Sequence, residues 1–439
     1  MQANGAKKIG VISLGCDKNR VDTEKMLAVI AERHQIVSDP ASADVIIINT
    51  CAFLNSARKE AIEEVIAAAE YKKTGDKKII VTGCLPQKFI GEIYSELKEA
   101  DGFTGISDYG RINEVIDRVC AGERVNAVGK PGGECGYKRV LTTSGYAYLK
   151  VADGCSNFCT YCLIPKIRGR YRSVPCEELV KEAAALGDTG ELILVAQDTA
   201  KYGQDLVPEI SLPALIRRLS ALENVRGIRL LYCYPENITE ELIRELRDNP
   251  KMIRYIDIPF QHADDGILKL MNRKGSGAEY LALIEKLRSE VPGIAVRSTF
   301  MAGFPGEDEA AFTRLADFLR TARPDSAGFF AYSREKDTAA DNLPGHLPAR
   351  VKNARLKKLY SVQKKISRET CKSRVGKTYS VFAEGFDENA LVYYGRAYFQ
   401  APEVDGKVYF FSAEPMEYGK FYRVKITKSD DYDLYGVRE

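Results

Sequence analysis

Residues 153–175 read DGCSNFCTYCLIPKIRGRYRSVP. The stretch holds Cys155, Cys159 and Cys162, with three residues between the first pair and two between the second. Three thiolates this close can grip one metal centre. They leave a four-iron cluster one ligand short, since such a cluster is normally held by four Cys. A vacant iron can bind a small molecule, so the spacing suggests reaction at a cluster as well as electron storage. A zinc knot is the competing reading, but structural zinc wants four ligands from two Cys/His pairs. The next Cys or His is Cys176, beyond a basic run.

Working outward, the chain of 439 residues is long enough for two or three domains. Its 64 basic residues nearly balance 61 acidic ones, which does not describe a surface coated for nonspecific nucleic-acid binding. There is no run of eighteen apolar residues and no signal-peptide pattern at the start, so a cytoplasmic protein without membrane spans is expected. Eleven Cys in such a chain point to metal ligands or buried hydrophobes rather than disulfides. With only three His, cluster ligation must be mostly by thiolate.

The spacing, with the aromatic Tyr161 just before the third Cys, resembles the signature of the radical S-adenosylmethionine (SAM) enzymes. The resemblance implies an open iron chelated by the amino and carboxylate groups of SAM. It also implies one-electron cleavage of SAM to methionine and a 5′-deoxyadenosyl radical.

Upstream, apolar runs at 8–14, 45–49 and 78–82 alternate with helical patterns at 21–34, at 55–71 and after Pro86. This predicts a parallel sheet with helices on its faces. Each run ends at a Cys: Cys16, Cys51 and Cys84. In an open parallel sheet ligands bind beyond the carboxyl ends of the strands, so these thiols should meet on one rim. They are either three half-buried Cys of the ordinary hydrophobic kind or the ligands of a second cluster with an open iron. Two three-Cys sites in one chain resemble the methylthiotransferase family, over essentially the whole length. There the N-terminal domain carries an auxiliary four-iron cluster and the central domain the radical SAM cluster.

Residues 123–144, rich in Gly and Lys, read as a linker. Cys120 and Cys135 have no ligand-like spacing and are expected to be structural or incidental. In 145–371, strands are predicted at 146–151, 191–195, 227–233, 255–258, 294–300 and 327–332. Helices are predicted at 177–186, 212–222, 240–248, 276–291 and 307–321. Six βα units match the partial TIM barrel of radical SAM enzymes, with chemistry at the carboxyl ends of the strands. Several strand ends carry candidates for SAM contact. Gln197 and Asp198 follow one strand, although Asp198 can equally be a helix cap. Gly303 and Gly306, in the family's Gly-Phe-Pro-Gly turn, allow close backbone approach. Arg297 is placed to reach the SAM carboxylate or to make a structural ion pair. His262 is more often an ordinary hydrogen-bonded residue. Lys166, Arg168, Arg170 and Arg172 follow the cluster loop, either as a solvated face or as contacts to an anionic group.

Residues 349–370 form a basic helical connector. Short alternating runs follow at 378–382, 390–395, 407–411, 421–426 and 434–437, and they predict a small five-stranded β-barrel over 372–439. It resembles the TRAM domain that closes methylthiotransferases. From residue 374 onward there are nine Lys/Arg and eleven Asp/Glu, with Asp430, Asp431 and Asp433 together. A tRNA-binding barrel should be basic, so a basic protein partner suits this one better.

Two branches of the family then compete. One, of the MiaB type, modifies an adenosine in tRNA. The other modifies the β-carbon of an aspartate in ribosomal protein S12. The wording of 13–19, of 153–157 and of Pro165-Lys166-Ile167-Arg168-Gly169 resembles the second. The resemblance implies transfer in two halves. Sulfur at the Cys16/Cys51/Cys84 cluster is methylated by one SAM. A second SAM is cleaved at the Cys155/Cys159/Cys162 cluster, and the radical takes hydrogen from the target carbon, which collects the methylthio group. A flavodoxin or ferredoxin would supply electrons. A non-catalytic iron–sulfur protein that binds ribosomes is the reading from another class.

Overall fold

The chain folds as three domains in this computed structural model, which describes residues 5–132, 136 and 138–439. Cys135 lies outside the described residues. The N-terminal region alternates β1 (Lys8–Ser13), α1 (Asp17–Ala31), β2 (Gln35–Val37), β3 (Val45–Thr50), α2 (Asn55–Ala69), β4 (Lys78–Gly83), α3 (Cys84–Glu96), β5 (Gly102–Thr104), α4 (Ile112–Cys120) and β6 (Val125–Ala127). All neighbours pair in parallel, in the order β2-β1-β3-β4-β5-β6. The three long strands are the predicted apolar runs, β3 being buried at all six positions. The strands with no counterpart in the predictions are three residues long. β6 takes up the start of the expected linker and extends the first sheet.

The rest of the linker is stapled down. The Arg139 side chain is fully buried. Nη1 donates to the Tyr148 carbonyl at 2.6 Å and to Glu182 Oε1 at 2.9 Å, and Nη2 donates to Glu24. Glu24 Oε1 also accepts from the Thr142 amide and hydroxyl at 2.9 and 2.7 Å. One guanidinium thus joins α1, the linker and the central domain.

That domain begins with β7 (Tyr146–Lys150). The hairpin pair β8 (Ala152–Asp153) and β9 (Arg172–Ser173) then brackets the Cys loop, which contains the short α5 (Ile164–Ile167). There follow α6 (Cys176–Ala185), β10 (Glu191–Val195), α7 (Leu212–Ser220), β11 (Ile228–Leu230), α8 (Glu240–Asp248), β12 (Met252–Gln261), α9 (Asp265–Leu270), α10 (Gly277–Glu290), β13 (Ala295–Ala302), α11 (Glu309–Ala322) and β14 (Ser326–Ala331). Six parallel strands, from the three-residue β11 to the ten-residue β12, lie in sequence order from β7 to β14, a partial barrel with two open edges. Alternate residues segregate as the pleat requires. Ala147, Leu149, Leu192 and Leu194 enter the core beneath the helices. Tyr146, Tyr148, Ile193 and Val195 face inward.

The last segment covers the base of that interior. α12 (Ala349–Arg374) leads to β15 (Thr378–Asp387), β16 (Val392–Arg396), β17 (Val408–Phe411), β18 (Phe421–Ser429) and β19 (Leu434–Arg438), a closed barrel in the order β15-β16-β17-β19-β18. Its Val381, Phe382 and Phe399 share one apolar cluster with the inward face of the partial barrel. Gly145, at φ +77°, leaves room for this docking, since a Cβ there would lie 2.5 Å from the Gly419 Cα. Buried charges fix the joint. Glu191 pairs with Arg229 beside it and with Arg396 of the small barrel at 3.0 Å, and Arg396 Nε donates to Glu384 at 2.6 Å. Among the described residues no helix is long and apolar enough to cross a membrane.

Arg139→Met leaves Glu24 buried without its cation, and such a break costs about 3–5 kcal/mol. The variant is expected to unfold at markedly lower urea than the parent and to be cut earlier by protease within 123–144. An unchanged midpoint and cleavage rate would show that the staple is dispensable.

Candidate functional site

β1, β3 and β4 are adjacent, and each delivers a Cys at its carboxyl end. The turns before Cys16 and Cys84 need glycine. Gly15 (φ +95°) would bring a Cβ within 2.8 Å of the Cys51 Cβ, and Gly83 (φ +96°) within 2.6 Å of the Thr50 carbonyl oxygen. Asn19, in the first turn of α1, clamps these loops. Its Nδ2 donates to the carbonyls of Leu14 and Thr50 at 3.2 and 3.0 Å, and the Cys84 thiol lies 3.7 Å from its Oδ1. The three strand-end thiols are thus neighbours, as the alternation of runs predicts.

The second triad lies on the loop between β8 and β9. This loop is held to residues 270–272: Thr160 N donates to the Met271 carbonyl at 3.1 Å, and Asn272 Nδ2 to the carbonyls of Asn157 and Phe158, each at 3.1 Å. The Tyr234 hydroxyl sits 3.7 Å from Cys159 Sγ.

Between the triads runs a buried charge network. Arg168 is 1 % exposed. Its Nη1 donates to both Asp153 oxygens at 3.1 and 3.0 Å, and its Nη2 to Asn19 Oδ1 at 2.6 Å and Asp22 Oδ2 at 3.0 Å, with Cys84 Sγ at 3.7 Å. Lys150 pairs with Asp22 and, at 3.0 Å, with Asp153. Burial alone would raise the Asp153 carboxyl, but Arg168 and Lys150 hold it well below the usual range. Arg168 is therefore committed inside the protein and not to an outside anion. Arg172 donates to the carbonyls of Arg168 and Arg170, while Lys166 and Arg170 are exposed.

The strand end after β11 touches both sides. Tyr232, at φ +60°, has its hydroxyl 3.4 Å from Asp17 Oδ1, and Lys18 Nζ stands 3.3 Å above its ring. Two residues on, Tyr234 reaches Cys159. The N-terminal domain also grips the far edge of the partial barrel, where Arg58 and Lys88 pair with Glu335 and Asp337 at 2.7 and 2.9 Å. It therefore spans the mouth.

The remaining candidates are placed as follows. Tyr161 packs edge-on against Phe304 at 6.4 Å, and Gln197 is half-buried beyond β10. Asp198 is fully buried and makes no cap: it accepts from Asn157 at 3.1 Å and Asn237 at 2.8 Å, and burial pushes its carboxyl up to about 6. Arg297 donates to Asp257 at 2.8 Å and lies 3.6 Å from Asp405 of the small barrel. The Gly303 amide donates to Glu307 at 2.9 Å, and a Cβ there would meet Lys352 at 2.2 Å; the Gly306 amide donates to the Gly345 carbonyl at 3.2 Å. His262 accepts from the Asp264 amide on Nδ1, which leaves Nε2–H to donate to Glu307 at 3.2 Å.

The donor set fits iron–sulfur chemistry. Each triad is all thiol and one ligand short of a full cluster. Among the described residues no group of three His, Cys, Asp or Glu converges on a single ion, and a four-iron cluster assigns each thiolate to a different iron. Burial pushes the Cys84 thiol up to about 12 and Cys155 up to about 11, and it raises Cys51 and Cys162 as well. Such thiols stay protonated until a bound cation displaces the proton.

Comparison with known proteins matches this layout domain by domain. Residues 149–319 match the radical SAM superfamily, 8–105 the uncharacterized protein family UPF0004, and 375–438 the TRAM domain. Solved structures with this fold include the radical SAM methyltransferase TsrM from Kitasatospora setae (TM-score 0.56, 13 % identity, 85 % of this chain and 80 % of that one). The cobalamin-dependent radical SAM enzyme OxsB is another (TM-score 0.52, 12 % identity, 81 % and 56 %). Fold and thiol sets together define a radical SAM enzyme with a TRAM domain. The chain is 45 % identical to the ribosomal protein uS12 methylthiotransferase RimO of Acetivibrio thermocellus, over 98 % of both chains. It is 44 % identical to that of Lachnoclostridium phytofermentans, over 98 % of this chain and all of the relative. The chain belongs to the RimO family of methylthiotransferases.

Arg168→Met strands Asp153 and Asp22 with Lys150 alone, and the urea midpoint of the iron-free protein is expected to fall by the equivalent of about 3–5 kcal/mol. Arg168→Lys should recover little of this, because one ammonium cannot reproduce a fork that reaches both domains. Parent-like midpoints in both variants would remove the network as the tie between the triads.

Proposed function

We propose that this enzyme methylthiolates the β-carbon of an aspartate in ribosomal protein S12, in the cytoplasm, with SAM and two four-iron clusters. The observation that carries the substrate is 44–45 % identity, over 98 % of this chain, to enzymes named for uS12. The carbon to be modified has no acidic proton, so His or carboxylate general-base catalysis cannot activate it. When bound, the cofactors supply radical hydrogen abstraction on the Cys155/Cys159/Cys162 side and the methylthio group on the Cys16/Cys51/Cys84 side, with electrons from a flavodoxin or ferredoxin.

The protein's part is placement. Asn19 and Arg168 hold the two thiol sets in one frame, and Tyr232 and Tyr234 wall the space they share. Tyr161, Gln197 and the turn at Gly303 and Gly306 are the positions assigned to the SAM side. Arg297 acts from its pair with Asp257 as a strut of the inner wall. Lys18, two residues after Cys16, is buried, pairs with Asp17 at 3.0 Å and braces the Tyr232 ring.

The acidic triplet does not add to this case. Asp431 pairs with Lys364 and Arg368 of α12 at 2.8 and 2.5 Å. Asp430 accepts from the amides of Tyr432 and Asp433, and Asp433 from the Lys407 amide. These charges organise a turn and an interdomain contact, and do not form an open acidic face. One observation favours tRNA as a second reading. Tyr394, Tyr409 and Tyr435 lie opposite one another on three strands, the last two stacked at 5.7 Å, with Lys407 over Tyr394. Bases can stack on such a row.

Changing Cys16, Cys51 or Cys84 to Ala should lower reconstituted iron by about half, on the count of one cluster per cysteine triad, while SAM cleavage to 5′-deoxyadenosine survives. Unchanged iron would overturn the second cluster. Incubation with SAM and dithionite should add one methylthio group to S12; its appearance on tRNA alone would overturn the substrate.

A further inference from the structure

Arg273 is a buried cation without an acid. The residue is 6 % exposed, and its Nε and Nη1 have no hydrogen-bond partner. Nη2 donates to the Pro259 carbonyl at 2.5 Å. Its remaining company is neutral. The guanidinium stacks 4.0 Å from the centroid of the Tyr234 ring, and Tyr280 is close by. Among the described residues no carboxylate pairs with it, in a protein whose other deeply buried arginines (Arg139, Arg168, Arg229, Arg396) each hold one or two. A guanidinium taken out of water with no counter-ion costs several kcal/mol, so an anion is missing from its surroundings. Arginine cannot escape by losing its proton.

The anion can be located. Residues 270–272, just before Arg273, are hydrogen-bonded to the Cys loop through Thr160, Asn157 and Phe158. The Tyr234 ring on which Arg273 stacks carries the hydroxyl 3.7 Å from Cys159 Sγ. One side chain, Tyr234, thus stands between the guanidinium and the Cys155/Cys159/Cys162 centre. With thiolate ligands a four-iron cluster is an anion, and it gains a further negative charge on reduction.

We propose that Arg273 is the fixed counter-charge of this centre and raises its reduction potential, acting across the Tyr234 ring as a positioning residue and not as a ligand. This rests on the reading that the triad holds a cluster. Net charge and burial are among the terms that set cluster potentials, and a cation in a desolvated site favours the more negative, reduced state.

The test is a redox titration of the anaerobically reconstituted full chain, followed by electron paramagnetic resonance without SAM. Arg273→Met should disfavour reduction of this centre at least tenfold, a shift of about 59 mV downward for a one-electron couple. Arg273→Lys should stay near the parent, and the signal assigned to the Cys16/Cys51/Cys84 side should not move in either. If Arg273→Met does not fold, Arg273→Gln carries the same expectation. A parent-like potential in the neutral variant overturns the proposal. So does a parent-like potential with weakened SAM binding, which would make Arg273 a contact for the SAM carboxylate. If Cys155, Cys159 and Cys162 can all be changed to Ala without loss of iron, the cluster reading itself falls, and the proposal with it.

Discussion

A single guanidinium ties the two thiol sets together. Arg168 leaves the Cys loop of the central domain and ends between Asp153 of that domain and Asn19 and Asp22 of the N-terminal one. Its fork geometry matters, because one planar group satisfies acceptors on both sides of the seam at fixed angles. Desolvated ion pairs of this kind often add little net stability. What they add here is registration: a slip between the domains would leave Asp22 and Asp153 buried with one cation fewer. For the proposed reaction, in which sulfur held on one side must meet a carbon radical formed on the other, a fixed distance between the two thiol sets is the property that matters.

The same constraint explains the architecture. Six parallel strands in sequence order do not close into a barrel, so their inner face and both edges need covers. α1 covers the β7 side, and α2 and α3 reach the β14 side, where Arg58 and Lys88 pair with Glu335 and Asp337. The small barrel fills the base with Phe382 and Phe399. The reaction space is thereby defined by three domains, and each joint carries a buried Arg–carboxylate network: Arg139 at the linker, Arg168 at the mouth and Arg396 at the base.

Much of this is legible in the sequence because it depends on local pattern. The long buried strands, the helices between them and both cysteine sets announce themselves through apolar runs and spacing. The triad at Cys16, Cys51 and Cys84 needs only the rule that parallel strands present their carboxyl ends together. What stays hidden depends on partners far apart in the chain. Arg168 reads as one member of a basic run, yet its neighbours Lys166 and Arg170 face solvent while it is buried. Arg297 stands at a strand end like a ligand contact, but Asp257 and Asp405 claim it. Asp430, Asp431 and Asp433 look like a surface field and are used up in a turn and in α12. Tyr234 and Arg273 carry no motif and are found only because residues 270–273 fold back on the Cys loop. β2, β5 and β6 are too short to show a period.

The glycine at 145 has an implication for how such enzymes diversify. The small barrel meets the central domain through a backbone-to-backbone contact with Gly419, beside Phe382 and the Glu191–Arg396 pair. A barrel grafted from a cousin with another substrate would bring a foreign underside to this seat, and the graft would hold only if Gly145, Glu191 and Arg229 were exchanged with it. The small barrel and the central domain are thus fitted to each other at this seat, and exchange of the barrel alone would leave a buried charge and a backbone clash behind.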